Sequence, residues 1–176
     1  QVFVDPGRGA YGSTGEAHYF LSAAAHNGIT IDDCEPYPPN KPYYCEKFRS
    51  AFIKNSPKLK KGENTVMLSY GGYCVQRSIG DMTREWAFSD NNLIIEDQGL
   101  GSGSCEIIQR FYTPLSVSQM EDAIVLTGKN NSFTLKSQTG SPKTMTTKIW
   151  QAYGQSISGT VIQITHRADL PWTNTL

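Results

Sequence analysis

Short runs of alternating apolar and polar residues fill most of the chain beyond position 62. Residues 66–70 and 73–79 flank Gly71-Gly72, the pattern of a two-residue hairpin. Residues 85–88 and 93–95 flank Ser89-Asp90-Asn91-Asn92, a second turn-rich join. Five further runs follow, at 105–112, 123–126, 133–136, 146–153 and 159–166. Several alternate strictly enough to suit strands with one solvated face. Roughly eight short strands with frequent turns predict a mainly β, antiparallel fold of the sandwich, jelly-roll or barrel-like kind.

The first third reads differently. Residues 1–4 form a short strand candidate, stopped by Asp5-Pro6-Gly7. Ser13-Thr14-Gly15-Glu16 fits a capping box, and the run 17–26 that follows predicts a helix ended by Asn27-Gly28. A second short helix is expected over 44–54, where Tyr44, Phe48 and Phe52 share one face. Lys58-Leu59-Lys60-Lys61-Gly62 reads as a basic linker or hairpin turn. With this many prolines, residues 1–61 make a poor independent core. They are expected to pack as a mixed helix and loop cover on a β-rich body, 62–176, within a single domain.

Composition narrows the setting. Sixteen basic residues balance sixteen acidic ones, so no broad attraction to nucleic acid or to an anionic membrane is expected. A local basic patch remains open at 54–61. No apolar run approaches the roughly 20 residues that span a bilayer. Charged residues are scarce and hydroxyl, amide and tyrosine residues are plentiful, a mixture common in exported β proteins. The chain opens at Gln1, which fits a mature chain after removal of a signal peptide. A secreted, periplasmic or cell-surface location is the expectation.

The cysteines add to that. Cys34, Cys45, Cys74 and Cys105 contain no Cys-x-x-Cys, which argues against a zinc ribbon. Pairing neighbours gives Cys34–Cys45, around a proline-rich loop, and Cys74–Cys105, between two expected strands. Each bridge would contribute roughly 3–4 kcal/mol by loop entropy.

Catalytic patterns are mostly missing. The opening Val2-Phe3-Val4-Asp5-Pro6-Gly7 resembles the first strand of zinc-dependent cell-wall amidases, which continues into a metal-binding histidine. Arg8 stands at that place, and a guanidinium does not ligate zinc. His18 and His26, eight apart on one predicted helix, are about 12 Å apart along its axis and cannot share a metal. No Gly-x-Ser-x-Gly elbow occurs. Gly99-Leu100-Gly101-Ser102-Gly103 lacks a following helix, so it reads as a flexible loop and not a phosphate cradle. No metal or cofactor is expected.

Recognition features are better represented. Tyr37-Pro38-Pro39-Asn40-Lys41-Pro42-Tyr43-Tyr44 sets three tyrosines in a stiff loop. Rigid tyrosines offer contact area at low entropic cost. Sugar rings, with apolar faces and hydroxyl edges, fit such a lining. Tyr37, Asn40, Tyr43 and Tyr44, with Asp32 and Asp33, are therefore the candidate ligand-binding residues. Trp86 and Trp150 are expected in the core. Trp172 is expected to staple the tail or to face a following domain after Leu176. Asn130 heads a glycosylation sequon, Asn130-Asn131-Ser132, in an expected turn. The function these features favour is extracellular recognition of a carbohydrate or host-surface glycoconjugate, as in adhesins. An exported hydrolase or toxin, and a structural component of a surface assembly, are the alternatives.

Overall fold

The computed structural model describes residues 1–9, 15–36, 56–71, 73 and 78–176. Along them run a helix α1 (Gly15–Tyr19), a 3-10 turn (Ala23–Ala25) and strands β1 (Ile29–Ile31), β2 (Lys58–Lys61), β3 (Thr65–Tyr70), β4 (Ile79–Phe88), β5 (Leu93–Gly101) and β6 (Ser104–Thr113). Strands β7 (Ser116–Gln119), β8 (Ala123–Thr127), β9 (Ser132–Lys136), β10 (Ser141–Ala152), β11 (Gln155–Asp169) and β12 (Trp172–Thr175) complete the order. The fold class expected from the sequence is the one found: antiparallel sheet almost throughout, with short helical pieces near the N-terminus.

The backbone groups into two compact units. One comprises Gln1–Asp33 and Glu106–His166, the other Cys34–Cys105 and Arg167–Leu176, so the limits fall inside β6 and β11. The first unit carries the sheet β1-β6-β11-β10 and the smaller sheet β7-β8-β9. From Ile107 to Thr113, β6 is buried on both faces, as a central strand requires. Ile31, Ile107, Ile162 and Ile164 are fully enclosed in this unit, each worth about 1.5–3 kcal/mol of burial.

The second unit carries the sheet β12-β5-β4-β3-β2. Alternation along β5 buries Ile95, Asp97 and Gly99 and leaves Glu96 and Leu100 outside. The register places Leu68, Arg84, Asp97 and Asn174 in one row. Arg84, Asp97 and Asn174 are all buried, so this sheet's inner face holds a polar row. Trp172 is buried in β12 opposite Gly99, which staples the tail to the sheet.

Several local expectations are corrected. The helix expected over 17–26 is instead α1 followed by a 3-10 turn. Ser22 explains the break: its hydroxyl and its amide both bond the Tyr19 carbonyl, at 2.6 and 2.9 Å, and tighten the chain there. Residues 1–4 form no strand, although Val4 N–H donates to the Tyr112 carbonyl. The hairpin expected around Gly71-Gly72 includes Gly72 and residues 74–77, which lie outside the described residues; Tyr70 pairs with Met82 on β4. The basic segment 58–61 is a strand. Gly99 and Gly101 belong to β5; a Cβ on Gly101 would stand 2.3 Å from the Ser78 carbonyl oxygen. Trp86 and Trp150 are half-buried. The expected helix at 44–54 lies outside the described residues.

Candidate functional site

Asp32 and Asp33 follow β1 with left-handed backbones, φ 48° and 53°. Aspartate tolerates that conformation better than most residues. Asp32 is committed to the backbone: its N–H donates to the Glu106 carbonyl and its Oδ1 accepts the Glu106 N–H, both at 2.9 Å. Asp33 is exposed. Tyr37, Asn40, Tyr43 and Tyr44 lie outside the described residues. The same holds for Cys45 and Cys74, the expected partners of Cys34 and Cys105. Among the described residues there is no disulfide; Cys105 is buried, its Sγ 3.8 Å from the Ala168 carbonyl oxygen. Asn130 is exposed in the turn between β8 and β9.

A denser arrangement lies in the first unit and joins segments far apart in sequence. Asn27 clamps the N-terminal segment: its Nδ2 donates to the Val4 carbonyl at 2.9 Å and its Oδ1 accepts the Tyr112 N–H at 2.6 Å. Beside it, His26 Nδ1 sits 2.7 Å from Asp5 Oδ2, both side chains substantially exposed. The Tyr112 hydroxyl donates to the Ala24 carbonyl at 2.5 Å. Its proton being used there, it accepts from the Tyr19 hydroxyl at 2.6 Å. Burial pushes the Tyr112 phenol well above its ordinary range.

Trp150 on β10 is the other half. Its N–H donates to the Pro6 carbonyl at 2.7 Å. Gly9 lies against the ring, and Phe20 meets it edge-on at 6.2 Å. Lys148 Nζ is 5.2 Å from the ring centroid and 3.1 Å from Glu16 Oε1. The indole Nε1–H is buried with no hydrogen-bond partner among the described residues. Lys148, paired with Glu16, thus lies over the Trp150 ring, while the groups of Asp5, His26, Tyr19 and Tyr112 are tied to this region through the Pro6 carbonyl and the Tyr19–Phe20 ring contact, a mixture suited to binding hydroxyl-rich or anionic groups. No three of His, Cys, Asp and Glu among the described residues are placed to hold a metal. Sequence reading singled out neither Tyr19, Tyr112 nor Lys148, since the bonds that join Tyr19 to Tyr112 and Lys148 to Glu16 span 93 and 132 positions.

The sequence matches the family described as Heparinase II/III-like, C-terminal, over residues 1–170. The chain belongs to this family. As a heparinase II/III-like C-terminal domain it is a carbohydrate-related β domain. A comparison with curated proteins found no match. Solved structures share the fold. A heparan sulfate lyase HepC mutant from Pedobacter heparinus superposes with a TM-score of 0.70 at 12% identity, covering 99% of this chain and 28% of that one. A heparinase III gene product gives 0.71 at 16% identity, covering 99% and 27%. A 4-alpha-glucanotransferase from Thermococcus litoralis gives 0.51 at 11%, covering 84% and 26%. The heparinase-like chain therefore spans little more than a quarter of the length of these proteins. None of its described helices is long and apolar enough to cross a membrane.

Proposed function

We propose that the chain binds an acidic polysaccharide of the glycosaminoglycan class, as a recognition domain of a longer carbohydrate-acting protein. The observation that carries this is the family match over nearly the whole chain. The fold shared with a heparan sulfate lyase and a heparinase III gene product supports it. The contacts assigned are the exposed groups around Trp150, together with Asp33 and the loop tyrosines Tyr37, Tyr43 and Tyr44, as hydrogen-bonding partners for sugar hydroxyls. This reading keeps carbohydrate recognition as the central activity, and it favours a secreted, periplasmic or cell-surface setting. An adhesin presenting the same domain to a host glycoconjugate is a narrower form of it. A glycan array carrying heparan sulfate, chondroitin sulfate and neutral glycans tests the reading. Selective signal on the sulfated polymers is expected; a blank array would overturn it.

A second reading is enzymatic, since the two proteins of shared fold are a heparan sulfate lyase and a heparinase III gene product: the chain supplies groups to polysaccharide cleavage. Lyase chemistry leaves a new carbon–carbon double bond, so ultraviolet absorbance of the products reports it. Absorbance that grows with the chain alone would support cleavage over binding.

A further inference from the structure

Between Glu46 and Glu63 the sequence holds six cations, Lys47, Arg49, Lys54, Lys58, Lys60 and Lys61, and no carboxylate. In a chain of zero formal charge this is a local excess. Its last three members lie on β2, where every residue is exposed. None of the three makes an ion pair among the described residues. Strand geometry sets Lys58 and Lys60 on one face of the sheet roughly 7 Å apart, with Lys61 on the other.

The register shows what shares the face with Lys58. Across the sheet it is aligned with Ser69 on β3, Thr83 on β4, Gln98 on β5 and Thr173 on β12. These side chains are exposed or half-exposed, because the alternate positions Arg84, Asp97 and Asn174 point into the buried face. The row from Ser69 to Thr173 is uncharged, rich in hydroxyl and amide groups, and about 14 Å long at the spacing of neighbouring strands. The next row runs from Lys60 through Met67 to Glu85 and Glu96, so its two carboxylates stand on β4 and β5, roughly 10 and 14 Å from Lys60 and about a Debye length or more at physiological salt. The positive end of this face is therefore its β2 edge, and its negative groups lie toward β4 and β5.

We propose that this outer face of the sheet β12-β5-β4-β3-β2 is a docking surface for a sulfated or carboxylated polysaccharide. The lysines of β2 hold its anionic groups and the Ser69–Thr173 row its hydroxyls. The proposal rests on the carbohydrate reading above and places a contact in the second unit, apart from the groups around Trp150. A polyanionic sugar chain fits better than an acidic peptide added as an edge strand. Charges on both faces of an edge strand oppose strand addition, and a row of neutral hydrogen-bonding groups suits hydroxyls.

The test measures binding of a heparin oligosaccharide to the 176-residue chain, with polyglutamate as a second probe. Lys58→Gln/Lys60→Gln should weaken heparin binding about tenfold and flatten its salt dependence. Gln98→Ala should weaken it about threefold with no change in salt dependence, as loss of a neutral hydrogen bond predicts. Lys129→Gln/Lys136→Gln, outside this sheet, should leave it unchanged. Wild-type binding that survives the β2 lysine change overturns this surface and leaves the carbohydrate reading standing. No wild-type binding to heparin overturns both. Polyglutamate binding as tight as heparin, and indifferent to Gln98→Ala, overturns the glycan in favour of an acidic peptide.

Discussion

Gly9 lies so close to Trp150 that a Cβ at its position would stand 2.2 Å from Cε2 of the indole. No rotation of a methyl group relieves that, and the ring is also fixed by Phe20 and by the bond from Trp150 N–H to Pro6. Gly9→Ala is expected to cost about 1–3 kcal/mol by overpacking. Gly15→Ala, at a helix position where a Cβ meets nothing within 4 Å, should be neutral or slightly stabilising. Urea unfolding followed by tryptophan fluorescence compares the two.

Arg84 and Asp97 form a two-pronged ion pair inside the second unit. Nε donates to Oδ1 and Nη2 to Oδ2, both at 2.6 Å. Burial opposes the guanidinium charge, but the Asp97 carboxylate and its hydrogen bonds outweigh that and hold Arg84 above its ordinary value. Asp97→Ala leaves a buried charge without this partner and should cost about 3–5 kcal/mol. Arg84→Met/Asp97→Leu should cost less than Asp97→Ala alone, since neither charge is then stranded. A double-mutant cycle of unfolding free energies checks both statements.

The Tyr112 phenol is raised from an ordinary value of 10.0, because burial favours its neutral form. The stabilisation this gives is fully present below pH 10. It is lost as pH rises from there toward the native value, because the unfolded chain gives up that proton first. Tyr112→Phe should remove this alkaline loss and cost about 1–2 kcal/mol at neutral pH through the missing hydroxyl bonds. Thermal melts between pH 7 and pH 11, read beside the absorbance titration of the native tyrosines, measure it.

Asp32 and Asp33 should separate by role. Asp32→Ala removes the acceptor of the Glu106 N–H and is expected to cost about 1–2 kcal/mol. Asp33→Asn keeps a residue tolerant of the left-handed backbone and should leave the melting temperature unchanged. Any effect of Asp33→Asn on sugar binding is then an effect on contact, read by affinity at constant stability.

How much of this was legible depends on where each partner sits in sequence. The β4–β5 hairpin was, because Ser89-Asp90-Asn91-Asn92 is turn-rich and Phe88 meets Leu93 across it. Gly71-Gly72 carried the same kind of signal, and Gly72 lies outside the described residues. Two glycines permit a turn, but the register that pairs Tyr70 with Met82 is set by the whole sheet. Asp32 and Asp33 were visible as candidate ligand groups, yet Asp32 serves a bond to Glu106, 74 residues on. The groups around Trp150 left no local trace, since tertiary packing alone brings Asp5 to His26 and Lys148 to Glu16. The basic run of β2 was legible as charge. Its alignment with a neutral polar row needed the register.

The central claim is that this heparinase-like domain binds an acidic polysaccharide. Titration calorimetry of the 176-residue chain with a heparan sulfate oligosaccharide, set against uncharged dextran of equal length, tests it most directly. Saturable heat with the sulfated chain, weakening as salt rises, and none with dextran is the predicted result. Equal heats for both polymers, or no heat with either, would contradict the account.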